Sequence, residues 1–483
     1  MHRLNAPLVQ WIKLVIAGSL YILFALWLGN LWILIGLPLI FDLYISKFIP
    51  WSWWKECKNQ KIRKIVEWVD AIVFALVAVY FINLFLFQNY KIPTGSLEKT
   101  LLIGDHLFVS KVAYGPRTPN TPFSFPLVQH TFPVINTKSY LENPQWESRR
   151  LKGLGKVERN DIVVFNFPAG DTVVLGKQAE DYESVFFEAG LTQLKNKGIA
   201  IEKLKAEGVD LRKVCLQIGR NVVIENKDVY GELVYRPVDR RENYVKRCVG
   251  LPGDRLQLIE RELYINGQKQ NRPEGIQHYC KVTASQSLSE DLFDRLDVTK
   301  ENASYAFLGN DPEGNFVYLF PLNKVRQQQL KRIGYILAVD EKNISDLTES
   351  EQTTFPAGYN PNWTVDNYGP IWIPKAGTSI KITLENLALY ERIIRNYEGN
   401  KLEVKDKTIY INGKEAKTYT FAMDYYWMMG DNRHNSADSR VWGFVPENHI
   451  VGQPLFVWLS LNQDKGWFSG KIRFNRFFKD ARN

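Results

Sequence analysis

Three segments of the 483-residue chain carry side chains that could do chemistry together. The first is Ile92-Pro-Thr-Gly-Ser-Leu-Glu-Lys-Thr-Leu101, followed by Gly104-Asp105. Gly95 lets the backbone pass close before Ser96, and a serine hydroxyl becomes a nucleophile once a neighbouring base takes its proton. The backbone amide of Ser96 and the Thr94 hydroxyl are candidate donors to the oxyanion that such an attack creates. The second segment, Tyr244-Val-Lys-Arg-Cys-Val-Gly-Leu-Pro-Gly-Asp254, reads as a strand running into a Pro-Gly turn. Adjacent strand residues point to opposite faces, so one of Lys246 and Arg247 can enter a buried site while the other stays in a charged network. The third segment, 429–446, is dense in polar groups yet bordered by Trp442, Phe444 and Val445. Buried polar groups need partners, so Asp431, Ser436, Asp438 and Arg440 should form a hydrogen-bonded network. Taken singly, the three segments read as a turn, a solvated edge strand and a surface loop.

Together, in this order and downstream of an apolar N-terminal region, they resemble bacterial signal peptidase I, the membrane-bound Ser/Lys protease that removes signal peptides from exported proteins. The resemblance covers 92–111, the stretch Asp-Ile-Val-Val-Phe at 161–165, 244–254 and 430–446. It implies Ser96 as nucleophile, Lys246 as general base, Thr94 with the Ser96 amide as oxyanion hole, and Ser436 hydrogen-bonded to the lysine. Asp431 with Arg247, and Asp438 with Arg440, resemble the family's structural ion pairs. The implied substrate is a preprotein signal peptide with small residues before the cut. It would be laid as a strand beside 92–96, with Ile92 and Leu97 as candidate walls of its pocket. No cofactor and no metal is implied. The chain departs from the family's pattern at three places. Leu97 stands where Met is common, Glu98-Lys99 replaces the usual residue followed by Pro, and His434 occupies a position that is often Asp. A Ser-His mechanism is not expected from His434, since the resemblance puts Lys246 in the base role.

Free lysine titrates near 10.4, so Lys246 must fall by about two to three units to accept a proton at neutral or mildly alkaline pH. At about 1.36 kcal/mol per unit, the fold bears a cost of roughly 3–4 kcal/mol. Burial of the ammonium against apolar side chains is the expected cause.

The elements that must position these residues are mostly strands. Short β-branched and aromatic runs bounded by Gly, Pro, Asn and Asp lie at 106–112, 161–167, 244–249 and 453–459. The fold class expected is mainly β, a signal-peptidase-like antiparallel catalytic domain with large insertions, preceded by transmembrane helices. The catalytic core is assigned to 91–167, 244–269 and 401–483, with a helical insertion at 168–243 and an inserted accessory domain at 270–400. Tyr182, Val185, Phe186, Ala189 and Leu194 supply the helical pattern of the first insertion. Two similar stretches, 255–267 (RLQLIERELYING) and 401–413 (KLEVKDKTIYING), each read as a β-hairpin ending in Asn-Gly. Either they are two like hairpins of one sheet, or 270–400 was inserted between them.

Residues 1–90 read as a membrane anchor. No charge falls between Leu14 and Phe41, and Gly29-Asn30 at the middle predicts a hairpin of two short spans, 14–28 and 31–45, in place of one long tilted span. The joint 46–64 carries Lys47, Lys55, Lys58, Lys61, Arg63 and Lys64 with three Trp, which reads as a cytoplasmic loop at the headgroup level. The uncharged run 71–90 then crosses outward. This places the catalytic domain on the extracytoplasmic side of the cytoplasmic membrane, with the lipid bilayer itself as a partner.

The net charge of +9 is spread along the chain without a nucleic-acid motif, so no nucleic acid is expected as a partner. Four cysteines with no CxxC pair indicate neither a disulfide framework nor a zinc site. A membrane-tethered Ser/Lys protease with other substrates, such as a self-cleaving regulator, would need a DNA-binding module, for which the stretch before residue 14 is too short. A non-catalytic scaffold would be expected to have lost Ser96 or Lys246, and both are present.

Overall fold

The computed structural model describes residues 6–482 apart from 134, 136, 179, 202–203, 205–208 and 344–352. The chain forms two compact units, residues 1–88 with 111–155 and residues 89–110 with 156–483. The parts of the anchor and of the two assigned insertions that fall on 1–5, 179, 202–203, 205–208 and 344–352 lie outside the described residues.

In the first unit the helix Leu8–Leu28 stops where the sequence predicts a turn. Gly29 takes φ 65°, and its N–H donates back to the carbonyls of Ala25 and Leu26. The Asn30 side chain then accepts from Trp32 N and opens a second helical run, Leu31–Ser46. This run passes through 3-10, α and π turns in succession. Asp42 ties off its end, its carboxylate accepting from Ser46 Oγ at 2.5 Å, Phe48 N at 2.6 Å, Ile49 N at 3.0 Å and Trp51 Nε1 at 2.9 Å. A carboxylate in apolar surroundings needs donors of this number. The helix Gln60–Phe85 begins at Asn59, whose side chain accepts from Lys61 N and Ile62 N. Leu8–Leu28 and Gln60–Phe85 are each long and apolar enough to cross a membrane, and the protein buries 6% and 0% of their most apolar windows. Trp68 and Phe74 on the second are among the side chains left open. Within the same unit Tyr80 Oη donates to Pro122 O at 2.9 Å, and Trp27 Nε1 to Lys152 O at 3.0 Å.

The second unit is built on a seven-stranded sheet in the order Phe87–Lys91 (of which residues 89–91 belong to this unit), Asp105–Ser110, Ile450–Ser460, Ile162–Asn166, Asn243–Gly250, Tyr425–Met429 and Val445–Pro446. From Asp105–Ser110 onward, neighbouring strands run antiparallel. Ile162–Asn166 is buried at every position, which is why its sequence is a continuous apolar run without alternation. Ile92, Leu97, Leu101, Leu107, Val109, Ile162 and Val164 share one core cluster there.

Both stretches ending in Asn-Gly are hairpins. Arg255–Ile259 pairs with Glu262–Ile265, and Leu402–Lys405 with Thr408–Ile411. Each turns on two residues at positive φ, Glu260-Arg261 and Asp406-Lys407, as two-residue hairpin turns demand. The two hairpins belong to different sheets, so they are not like hairpins of one sheet. Between them, Phe307–Asn310, Phe316–Asn323, Gln277–Ala284 and Ile336–Glu341 form a separate four-stranded sheet with its own core of Val282, Leu292, Phe320 and Leu330. Residues from Phe355 to Ile394 pack instead with Leu256, Leu258, Leu402, Trp427 and Phe444. The helical pattern of the first insertion appears as Tyr182–Asn196, packed on Leu211–Glu225. Their crossing is close because both sides carry glycine: a Cβ on Gly190 would lie 2.0 Å from Cys215 O, and one on Gly219 1.7 Å from Phe186 O.

Candidate active site

Lys246 and Arg247 sit mid-strand in Asn243–Gly250, opposite Val163 and Ile162. The pleat sends their side chains to opposite faces. On one face Lys246 Nζ is hydrogen-bonded to Ser96 Oγ. Lys246 is 5% exposed and Ser96 8%. Among the described residues this is the only hydrogen bond of the Lys246 amine, and no carboxylate forms an ion pair with it. The Tyr244 ring lies 5.8 Å from Nζ and stacks on Phe167 at 4.6 Å. Burial lowers the lysine pKa to about 8, against the more distant pull of Asp438 and Asp431.

Ser96 lies in the short turn Gly95–Leu97, which follows extended Thr94. The first amides of a helical turn have no partner within it, so the Ser96 N–H is not used by the turn itself. Thr94 is exposed beside it, while Ile92 and Leu97 are buried in the core cluster beneath.

On the other face the Arg247 guanidinium forms a fork with Asp431, Nε to Oδ1 and Nη2 to Oδ2, both at 2.8 Å. Its Nη1 donates to Asn160 O at 2.7 Å, and Thr100 Oγ1 donates to Asp431 Oδ2 at 2.6 Å. Asp438 and Arg440 form a second fork at 2.9 and 2.7 Å. Asp438 Oδ2 also accepts from Gly430 N at 3.0 Å, and Arg440 Nη2 donates to Arg433 O at 2.6 Å. Burial works against the Asp438 carboxylate, yet the Arg440 guanidinium outweighs it and holds the pKa below the usual carboxylate value. These forks fold 430–440 back on itself, and Asn432 N donates to Ser96 O at 3.0 Å. Gly430 is required at this approach, since a Cβ there would lie 2.7 Å from Ser96 O and 2.2 Å from Ser436 Oγ.

The structure brings together Ser96, Lys246, Arg247, Asp431, Asp438 and Arg440. Ser436 departs from the expectation that it bonds the lysine. Its hydroxyl is buried at this junction and has no hydrogen-bond partner among the described residues, while the lysine amine bonds Ser96. His434 does not approach the pair as a base: its Nε2 faces Asp366 Oδ1 at 2.7 Å, and its Nδ1 accepts from Tyr279 N at 3.0 Å. With Nδ1 accepting, the ring proton lies on Nε2 and is donated to Asp366.

Sequence reasoning missed Tyr244, Thr100, Asn432, Gln277 and Asp366. Tyr244, Thr100 and Asn432 lie inside the segments 244–254, 92–101 and 429–446, where polar or aromatic residues beside the reactive ones were the available signal. Gln277 and Asp366 had none, being distant in sequence from the residues they touch. Among the described residues no group of His, Cys, Asp and Glu is arranged to hold a metal ion.

The family model described as signal peptidase, peptidase S26, matches residues 65–313 and 416–459. Signal peptidase I of Haemophilus influenzae is 22% identical over 426 residues, covering 88% of this chain and 78% of that protein. Signal peptidase I of Buchnera aphidicola subsp. Baizongia pistaciae is 23% identical over 450 residues, 93% of each chain. A short match, 56% identical over 36 residues, joins 8% of this chain to 14% of signal peptidase I of Aquifex aeolicus.

Proposed function

The chain belongs to the signal peptidase family, peptidase S26, whose members are serine peptidases, and on that premise we propose that it cleaves signal peptides from preproteins by a Ser96–Lys246 mechanism at the outer face of the cytoplasmic membrane. The observation that carries the reading is the hydrogen bond between Ser96 Oγ and a buried Lys246 whose amine is lowered to about 8.

A neutral Lys246 amine accepts the Ser96 proton as Oγ attacks the scissile carbonyl. The Ser96 amide and the Thr94 hydroxyl hold the oxyanion. The ammonium so formed passes its proton to the leaving amine, and water then releases the acyl group from Ser96 with the lysine again as base. A shift from 10.5 to about 8 corresponds to about 3 kcal/mol of bias toward the neutral amine. Small side chains before the cut are selected by steric exclusion beside 92–96, the segment beneath which Ile92 and Leu97 are buried.

Anchoring is supported by the uncovered apolar helices Leu8–Leu28 and Gln60–Phe85. The orientation is supported by the basic, Trp-bearing joint that precedes the second of them, which positive charge retains on the cytoplasmic side. The test is processing of a preprotein with an Ala-x-Ala junction by the detergent-solubilised chain beside a Ser96→Ala control. Cleavage by the wild type alone is expected; equal processing by both overturns the assignment.

A further inference from the structure

Three of the four residues that depart from the family's pattern, Glu98, Lys99 and His434, share a property that none shows in isolation; the fourth, Leu97, is buried in the core. Each of the three is partnered by a residue between the two Asn-Gly hairpins. Lys99 Nζ is hydrogen-bonded to the carbonyl of Asp297, His434 is fixed by Asp366 and the Tyr279 amide, and Glu98 Oε2 accepts from Gln277 Nε2 at 3.1 Å.

Gln277 opens the first strand of the separate four-stranded sheet, where it pairs with Asn323. It is fully buried, and its main chain also joins the polar segment of the site. Gln277 N donates to Asp431 O at 2.9 Å, and Arg433 N donates to Gln277 O at 3.0 Å, a parallel bridge centred on Asn432. Asn432 in turn donates its backbone N–H to Ser96 O and its side-chain amide to Gly95 O at 3.4 Å and Glu98 Oε2 at 3.5 Å. The Glu98 carboxylate thus receives one amide from the inserted sheet and one from the polar segment, directly after the Ser96 turn.

We propose that Gln277 is a positioning residue for Ser96: the inserted sheet braces the nucleophile turn through the Gln277–Glu98–Asn432 hydrogen bonds, and the rate of peptide cleavage depends on that brace. The proposal rests on the peptidase reading given above. Gln277 touches neither the reacting atoms nor Lys246. It acts by fixing where Ser96 Oγ stands relative to the lysine amine, a geometry whose loosening by about 1 Å costs on the order of a hundredfold in rate. Burial pushes the proton affinity of the Glu98 carboxyl up, and the neighbouring Lys99 ammonium at 3.8 Å and then the Gln277 amide oppose it, so the brace is one of the two supports for a carboxylate at position 98.

The experiment uses the full chain in detergent with three variants: Gln277→Leu, Glu98→Gln with Gln277→Glu, and Gln277→Glu alone. Gln277→Leu keeps the main-chain bridge and removes only the side-chain amide. Its kcat is expected to fall by about 10–100-fold with KM within about twofold of wild type. Exchange of the Asn432 amide should rise about tenfold in the same variant. Gln277→Glu sets two carboxylates against each other and should be the poorest, whereas the double variant swaps amide for carboxylate and should recover kcat to within about threefold. A wild-type kcat together with unchanged Asn432 exchange in Gln277→Leu overturns the brace, as does a double variant no better than Gln277→Glu. If the wild-type chain cleaves no preprotein, the peptidase reading falls by itself, and Asn432 exchange still decides whether Gln277 holds the turn.

Discussion

Lys246 and Arg247 are neighbours in sequence and equally buried, yet the two faces of their strand treat them in opposite ways. Arg247 meets a carboxylate in a fork and a backbone carbonyl, so its charge is answered. Lys246 meets a serine hydroxyl, its carboxylate neighbours lie out of bonding range, and burial disfavours its charge despite the Tyr244 ring nearby. The side chains themselves suit this division. Guanidinium keeps its proton in any protein setting and binds carboxylates in two places, while an ammonium yields its proton when desolvated. A period of two along one strand therefore separates a group that holds the site together from a group that reacts.

The most severe way to break this comparison is to make the two faces alike. Lys246→Arg retains charge and approximate length but supplies no base. Its kcat/KM is expected to fall by about 10⁴-fold or more, about 5.5 kcal/mol in the barrier. Substantial cleavage by this variant would remove Lys246 from the chemistry. Disturbing the other face has a different readout. Arg247→Leu leaves Asp431 buried without its fork, and unfolding by urea should show a loss of about 3–5 kcal/mol. A loss below about 1 kcal/mol would mean that Asp431 finds its partners elsewhere.

The lysine face should respond to neutral substitution with the opposite sign. The folded-state pKa of Lys246 lies below the unfolded one, so below about pH 8 both states are protonated and the fold carries the full penalty. Between about 8 and 10.5 the unfolded chain binds the extra proton and stability rises with pH. Lys246→Met is therefore expected to be inactive yet about 2–3 kcal/mol more stable than wild type at pH 7, with the advantage gone above about pH 10.5. A Met variant less stable than wild type at pH 7 contradicts the desolvation account. In the active protein the same titration governs rate: log kcat/KM should climb with unit slope, about 1.4 kcal/mol per pH unit, and level off near pH 8. A plateau that begins below pH 6 would point to a base other than this lysine.

What the sequence made legible was local. The reactive residues fall in three continuous stretches, so the chemistry could be read from order and residue type. The hairpins were legible through Asn266-Gly267 and Asn412-Gly413, although the turns that fold them, Glu260-Arg261 and Asp406-Lys407, lack the glycine that usually marks positive φ. Gly29-Asn30 marked the break in the first apolar run, while the donors that Asp42 gathers at the end of Leu31–Ser46 come from Phe48, Ile49 and Trp51 beyond it. Contacts across long stretches left no trace. Glu98 finds Gln277 at a separation of 179 residues, and His434 finds Asp366 at 68, and neither pairing has a period or a spacing from which it could be inferred.

Ser436 sharpens the comparison at its smallest scale, because it lies between the polar network and the reactive pair and belongs to neither in this structure. Its buried hydroxyl makes no hydrogen bond among the described residues, whereas the backbone around it is tied down by Asp438 and Arg440. Removing an unsatisfied buried hydroxyl costs little or is favourable, so Ser436→Ala should leave the free protein's stability within about 1 kcal/mol of wild type. A loss of about 2 kcal/mol or more would show that the hydroxyl has a partner in the resting protein after all. If Ser436 orients the lysine only once substrate is bound, the substitution will lower kcat while that stability stays put. The hydroxyl then belongs to the reactive face, and the division between the two faces continues past the strand into the loop.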